Sequence, residues 1–309
     1  MAGTRRKNRL ENKFRLKSST MFERPEEDMP ESPRRVVILS VEGNKTEQDY
    51  FNYVEKYREQ LGIKACVHVH PLKRAKHDNH SAPEDVLELL EEYIELRNSK
   101  NLPKRMRDVI PEVYSDGFIK EYLDNSADID GKRKKDFEWV LEQAGIDIQY
   151  DKYLKDISGK DDVFGIVIDK DYHSHSVKQL QSIVKQCEER GYRCFITTPL
   201  VEFWLLLHIV DIKQTYSDKL EKFRENEVVS NKHTYTSREL SELAGHTKSI
   251  SEKKFKENYL NNIDYAIEQV KTNFTTDINE LIGTDENDDT KKGALGSNLP
   301  ELFELLRKE

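Results

Sequence analysis

The feature that most constrains the fold is a repeated alternation of short apolar runs with longer amphipathic segments. The apolar runs are RVVILSV (35–41), ACVHVHPL (65–72), DDVFGIVIDKD (161–171) and RCFITTP (193–199). Runs of this kind are typical of strands buried in a parallel sheet. Parallel strands require crossover connections, and the amphipathic segments between the runs can supply these as helices. The pattern therefore predicts an α/β fold with a mostly parallel sheet flanked by helices.

The sequence divides into an arm, a core and a helical region. Residues 1–33 are basic, contain three prolines and lack apolar periodicity, which predicts a flexible basic N-terminal arm. Residues 34–200 contain the apolar runs and form the predicted core. Within the core, residues 98–160 are highly charged and predict a helical insertion. Residues 201–309 have helical patterns to the end, which predicts a helical C-terminal region packed on the core.

A helix is predicted directly after the first apolar run. Thr46 and Asp49 have the spacing of a capping box, in which two side chains satisfy the first backbone N–H groups of a helix. The apolar residues that follow repeat at helical spacing. They are Tyr50, Phe51, Val54, Tyr57 and Leu61.

The net charge is −8, but the charge is unevenly distributed. Basic clusters occur at residues 5–19, 100–107 and 131–135. Local patches, rather than total charge, bind phosphates, so a nucleic-acid partner is compatible with this composition. A solvated surface or a flexible tail is the alternative interpretation of each cluster.

Cysteine usage and apolar run lengths indicate a soluble, cytoplasmic protein. Cys66, Cys187 and Cys194 are widely spaced and form neither a disulfide framework nor a zinc signature. No apolar run approaches the roughly 18 residues of a transmembrane helix. The start of the sequence also lacks the apolar segment of a signal peptide. We therefore expect no membrane partner.

Acidic residues follow two of the predicted strands. Glu42 follows the first run, and Asp169 and Asp171 end the third. Ligand sites in open α/β sheets lie beyond the carboxyl ends of the strands, so these acids should be close together. Carboxylates grouped in this way bind hard cations such as Mg²⁺, and without a cation they repel one another. The alternative is that strand-terminal acids cap the following helices, as Glu47 and Asp49 can do.

Three sequence blocks together resemble the RloB family. They are VEGNKTEQDYF (41–51), VIDKD (167–171) and PLVEFWLLLHI (199–209). The family pattern has an apolar strand followed by E-G-x-x-T-E-x-x-Y-F, an acidic D-x-D strand end, and P-x-x-E-x-W-L-L-L-H. The blocks occur in order, and the resemblance covers roughly residues 34 to 210. This sequence has TTP where the family has SNP before the third block, and its insertion is longer and more basic than a minimal core.

The resemblance implies a Toprim-like catalytic core, as in topoisomerases, primases and OLD-type nucleases, with Mg²⁺ or Mn²⁺ as cofactor. Glu42, Asp169 and Asp171 match the strand-end acids of that core. Glu47 matches a further metal-site acid, and Glu202 matches the acid of the third block, with a helix-start acid or a structural ion pair as its alternative. Members are associated with phage defence and often occur beside an ATPase of the ABC/AAA type.

Several basic residues are candidates for phosphate contacts or proton transfer. Lys248, in HTKSISEKK, is a candidate phosphate contact, and Lys45 and Lys170 lie beside the acidic blocks. His173 and His175 have H-x-H spacing in DYHSHS, which we interpret as a solvated loop. In the third block we predict that Trp204, Leu205, Leu206 and Leu207 belong to the core and that His208 is a structural histidine.

The sequence leaves more than one function open. The first is a metal-dependent nuclease that acts on DNA or RNA, including tRNA, as the effector of an anti-phage system. A partner ATPase would supply nucleotide hydrolysis, since no Walker motif occurs here. The second is a non-cleaving regulatory or scaffold subunit that binds metal or nucleotide. The third, a primase-like nucleotidyl transferase, would need a template-binding or zinc module. A homo-oligomer is compatible with all three.

Overall fold

The computed structural model describes residues 35–308 except for 44, 65–66, 73–81, 99–101, 103–106, 109, 126–128, 145–160, 172–173, 232, 246–247 and 286–291. The basic arm predicted over residues 1–33 therefore lies outside the described residues. So does most of the basic cluster at residues 100–107.

The described elements alternate as the sequence predicts through the core. In chain order they are β1 (Arg35–Val41), α1 (Thr46–Lys56), β2 (Val67–Pro71), α2 (Pro83–Asn98), α3 (Asp116–Asn125), α4 (Gly131–Ala144), β3 (Val163–Asp169), α5 (Val177–Arg190), β4 (Arg193–Thr198), α6 (Val201–Leu207), α7 (Ile212–Thr215), α8 (Leu220–Glu225), β5 (Val228–Ser230), β6 (His233–Thr234), α9 (Tyr235–Ala244), α10 (Glu252–Asn258), α11 (Ile263–Asn273), α12 (Ile278–Ile282), β7 (Gly296–Ser297) and α13 (Leu299–Arg307).

The main sheet has five strands in the order β2-β1-β3-β4-β7. The first four are parallel, and β7 pairs antiparallel with β4. In β1 every residue from Val36 to Val41 is buried, which explains its continuous apolar run. The predicted α/β fold with a mostly parallel sheet flanked by helices is confirmed. Because the strands are parallel, the residues that follow β1 and β3 lie at the same edge of the sheet.

Helix α1 begins where the sequence predicts, but the predicted capping box does not form. Lys45 occupies the N-cap position, and no side chain caps the helix. Instead, the Thr46 hydroxyl donates to the carbonyl of Lys248 at 3.0 Å, and the Asp49 carboxylate accepts from the Ile250 N–H at 2.9 Å. These two side chains therefore bind a segment that lies about two hundred residues later in the chain.

Helix α6, which follows β4, is buried along most of its length. Trp204 and the three leucines after it are fully buried, as predicted. The predicted structural role of His208 also agrees with its contacts. His208 Nδ1 lies 2.9 Å from the carbonyl of Trp204, and its Nε2 lies 3.1 Å from the hydroxyl of Tyr50.

The insertion forms a hydrophobic cluster together with Leu96 of α2. Its buried members are Leu96, Leu102, Ile110, Tyr114, Phe118, Ile119, Tyr122, Phe137 and Leu141. Phe137 packs edge-on against Phe118 and Tyr122. Helix α4 also presents Trp139 to solvent, with 61% of its surface exposed.

The C-terminal region is helical but also contains three short strands that the helical prediction missed. Strands β5 and β6 pair with each other, and β7 joins the main sheet. Next to β7, the Asn298 side chain accepts from Ile196 N at 2.6 Å and donates to the carbonyl of Cys194 at 2.9 Å. Strands of two or three residues are too short to produce a periodic pattern. Among the described helices, none combines the length and the apolar character needed to cross a membrane.

Candidate functional site

Two acids meet at the carboxyl edge of the sheet. Asp169 is the last residue of β3, and Glu42 directly follows β1. The Glu42 N–H donates to the carbonyl of Val167 at 3.0 Å, which continues the pairing of the two strands. The Asp169 N–H in turn donates to Glu42 Oε2 at 2.9 Å. The parallel pairing of β1 and β3 therefore brings together two acids separated by 127 positions.

Asp169 also positions the helix that carries the third acid. Its Oδ1 accepts from the Val201 N–H at 2.9 Å, at the start of α6. The next residue is Glu202, which is partly buried in the first turn of that helix. Asp169 itself is only 8% exposed. The third sequence block is thereby joined to the end of β3.

Glu47 approaches the same place from the first turn of α1. It is 5% exposed, and its Oε1 accepts from the Gly43 N–H at 3.0 Å. A Cβ atom on Gly43 would lie only 2.0 Å from Glu47 Oε2. Position 43 therefore requires glycine for the Glu47 carboxylate to occupy this place.

The charges of these acids act on one another. Burial raises the pKa of Glu47 to about 8, and the charges of Glu202 and Glu42 contribute to the shift. Burial also raises the pKa of Asp169 well above its usual value, with further contributions from Glu42 and Glu47. The pKa of Glu202 is raised by burial and by the charges of Glu42 and Asp171. We refer to Glu42, Glu47, Asp169, Asp171 and Glu202 as the acid cluster.

Asp171 and Lys248 lie at the border of the acid cluster. Asp171 is partly buried, and its Oδ2 accepts from the Ser174 hydroxyl at 3.1 Å. Lys248 is exposed, and its charge lowers the pKa of Glu202, opposing the effect of burial. The hydrogen bond from Thr46 to the Lys248 carbonyl holds this lysine near the start of α1. The structure thus brings all six predicted site residues into one neighbourhood.

His175 is part of this neighbourhood, contrary to its interpretation as a solvated loop residue. It is 7% exposed, and its Nε2 lies 3.2 Å from Glu42 Oε1. The Nζ of Lys170, a fully buried side chain, donates to the His175 carbonyl at 2.8 Å. His173 lies outside the described residues. This contact could have been predicted from the sequence only because His175 lies four residues after Asp171.

The acid cluster is wider than the ligand set of a single bound ion. Within the described part of the chain, the group of three potential ligands whose atoms all lie within 4.8 Å of one another is Glu55, His68 and His70. No three carboxylates of the acid cluster are that close in the same residues.

Comparison with known proteins gives one match. A family model described as RloB-like protein matches residues 37–288, which include all of the acid cluster and Lys248. No curated protein and no solved structure matches the chain. The family match covers well over half of the sequence. The chain therefore belongs to the RloB-like family.

Proposed function

We propose that the protein is a metal-dependent nuclease that hydrolyses phosphodiester bonds in DNA or RNA. The observation that carries the proposal is the convergence of acids from β1, α1, β3 and α6 at one edge of the sheet. Open α/β sheets bind their ligands at this edge. The same arrangement supports the Toprim-like core that the family resemblance implies.

The donor atoms of the acid cluster suit a hard divalent cation, although its carboxylates would have to move closer together to bind one ion. Carboxylate oxygens are the ligands that Mg²⁺ and Mn²⁺ prefer. Burial, together with the charges of neighbouring acids, disfavours the ionised forms of Glu47 and Asp169 and raises their pKa values. A divalent cation would supply positive charge and favour ionisation. We assign Glu42, Glu47, Asp169 and Asp171 as its ligands.

A bound cation of this kind polarises a phosphodiester and stabilises the leaving oxygen. Contact with the substrate phosphate and orientation of the metal ligands are assigned to other side chains of the protein. Lys248 is exposed and its charge acts on Glu202, which supports its assignment as a contact to a substrate phosphate. His175 holds Glu42 in orientation through its Nε2 contact, and Lys170 fixes the backbone of that histidine.

The insertion supplies a basic surface for nucleic acid. Lys132, Arg133 and Lys135 are exposed in the first turns of α4. Trp139 is exposed further along the same helix, where it can stack on an unpaired base. The basic side chains contact a phosphate backbone without selecting a base, so DNA and tRNA are both substrates to test.

The family resemblance supports a cytoplasmic role in anti-phage defence together with an ABC/AAA-type ATPase. The wide spacing of the carboxylates favours a second candidate function, a scaffold subunit that does not cleave. In that case the acids would bind metal or nucleotide for regulation only.

The deciding experiment incubates the full-length protein with Mg²⁺ or Mn²⁺ and with plasmid, single-stranded DNA or total tRNA. Parallel reactions include the partner ATPase. Glu42→Gln should abolish cleavage, whereas Asp218→Asn, a change at an exposed acid, should not. Equal cleavage by wild type and Glu42→Gln would contradict the assigned site. Failure to cleave any substrate, even with the ATPase, would favour the scaffold.

A further inference from the structure

A second group of metal-ligand side chains lies on the edge strand of the sheet. His68 and His70 are on β2, and Glu55 is near the end of α1. One ligand atom of each lies within 4.8 Å of the other two. Glu55 follows Glu47 by eight residues on the same helix, a rise of about 12 Å. The group is therefore separate from the acid cluster.

The backbone holds these three side chains together. Residues two apart on a strand project to the same face, and the rings of His68 and His70 lie 8° from parallel with centroids 6.0 Å apart. Glu55 is fastened to the same strand, because its Oε2 accepts from the Val69 N–H at 2.8 Å. Strand geometry and a backbone hydrogen bond thus place the group.

A proton on His68 cannot satisfy both of its neighbours. Its Nδ1 lies 2.7 Å from Glu55 Oε1 and 3.2 Å from Arg58 Nη1. An ionised carboxylate only accepts, which requires a proton on Nδ1, whereas a guanidinium only donates, which requires a lone pair there. One of the two contacts is unfavourable in either tautomer. A divalent cation would bind a lone pair from Glu55 and from His68, so no proton would be needed between them, and Arg58 would then have to move away.

We propose that Glu55, His68 and His70 bind a divalent cation of the zinc class and thereby fasten β2 to α1. Two imidazoles and one carboxylate form a ligand set suited to Zn²⁺, Co²⁺ or Ni²⁺ rather than to Mg²⁺. Ligand atoms in a tetrahedral zinc site are roughly 3.3 Å apart when the bonds are about 2.0 Å, so a small closure of the group suffices.

Arg58 competes with the cation for the same carboxylate. Its Nη1 lies 2.9 Å from Glu55 Oε1, so the guanidinium must move outward when metal binds. Its side chain is 26% exposed, which leaves a path to solvent. Its buried Nε has no hydrogen-bond partner among the described residues, so no bond at that atom is lost. Removing this guanidinium should therefore strengthen metal binding.

The test is calorimetric titration of chelator-stripped, full-length protein with Zn²⁺, with Mg²⁺ as the comparison ion. We expect a high-affinity zinc site in the wild type, separate from any weaker zinc binding at the acid cluster, that is lost in His68→Ala and in Glu55→Gln. The site should persist in His233→Ala, a change on the separate β5–β6 hairpin, and in Glu47→Gln, a change in the acid cluster. Circular dichroism establishes that each variant is folded.

Arg58→Met retains all three proposed ligands, so it tests zinc binding even if the ligand variants fail to fold. We expect it to tighten zinc binding by about tenfold, since it removes a competing positive charge. Unchanged or weaker zinc binding in Arg58→Met would overturn the proposal in favour of a Glu55–His68–Arg58 ion-pair network. Absence of a zinc site in the wild type, or equal binding by wild type and folded His68→Ala, would overturn it as well.

Discussion

Helix α1 presents polar side chains to two very different environments. Glu47 belongs to the acid cluster, where burial and the neighbouring acids raise its pKa to about 8. One turn later, Tyr50 is fully buried among aromatic rings and links Trp204 to His208. Around Glu47, several acids lie close together and repel one another when they are ionised. Around Tyr50, the polar atoms of Tyr50, Trp204 and His208 are hydrogen-bonded to one another.

The pairing at Tyr50 follows from donor and acceptor chemistry. The Trp204 carbonyl accepts only, so His208 Nδ1 carries the proton and its Nε2 keeps a lone pair. The Tyr50 hydroxyl therefore donates to His208 Nε2 and accepts from Trp204 Nε1 at 3.1 Å. Burial lowers the pKa of His208 to about 4, consistent with a neutral ring. The Tyr50 network therefore stabilises the fold, whereas the like charges of the acid cluster destabilise it.

The largest expected effect on stability is at the paired network. Tyr50→Phe leaves the buried Trp204 Nε1 and His208 Nε2 without their partner, which costs about 3 kcal/mol of unfolding free energy. Metal binding at the acid cluster should be unaffected. Urea unfolding measures the loss, and Tyr265→Phe, at an exposed tyrosine, is the control. A loss below about 0.5 kcal/mol would show that the network contributes little.

Gly43→Ala tests the close approach in the acid cluster. The new Cβ would displace the Glu47 carboxylate, because the space beside Gly43 is occupied by Glu47 Oε2. We expect Mn²⁺ affinity to fall by about 10- to 100-fold, the range typical of displaced supporting groups at metal sites. Gly131→Ala, where no atom lies within 4 Å of the added Cβ, should bind normally. Equal affinity in both variants would exclude Glu47 as a ligand.

Glu47→Gln tests, through pH, how burial and the neighbouring acids together affect Glu47. The folded, metal-free protein keeps a proton on Glu47 up to about pH 8, whereas the unfolded chain releases it near 4.5. The free energy of unfolding should therefore fall as pH rises from 4.5 to 8, by at most about 1.4 kcal/mol per pH unit from this group.

In Glu47→Gln that contribution is absent, so the variant should be less sensitive to pH than the wild type over the same window. Denaturant midpoints measured at several pH values in chelator give the comparison. Parallel curves for the two proteins would mean that Glu47 is not protonated in the folded state.

The smallest expected effect is at the border of the acid cluster. Lys248→Ala removes one exposed positive charge, so nucleic-acid binding should weaken by less than about tenfold and become less salt-dependent. Lys253→Ala, at a lysine whose side chain is 80% exposed, is the matched control. Fluorescence anisotropy at two salt concentrations measures both. Equal losses in the two variants would assign a nonspecific role to Lys248.

The strands and the positions of the strand-end acids could be predicted because each depends on local pattern and parallel topology. Val36 to Val41 form an uninterrupted buried run, and Glu42 has to follow it at the sheet edge. Glu202, the acid in α6, could be predicted as a site residue only from the family resemblance. Its local sequence is equally compatible with a helix-start acid or a structural ion pair.

The remaining contacts depend on partners far apart in the chain. Thr46 and Asp49 match a capping pattern, but they bind residues 248–250 instead. His175 is buried, with contacts to Lys170 and Glu42. Neither contact can be predicted from a periodic pattern in the sequence. Strand β7 consists of two residues, and its pairing with β4 is likewise set by tertiary packing.

The most direct test of the central claim is calorimetric titration of Mn²⁺ into wild type, Asp169→Asn and the control Asp218→Asn. Asp169 receives charge effects from three other acids and also binds the start of α6, so it links the elements of the site. We expect Mn²⁺ binding by wild type and Asp218→Asn, and at least about 100-fold weaker binding by folded Asp169→Asn. Equal Mn²⁺ affinity in all three proteins would contradict that claim.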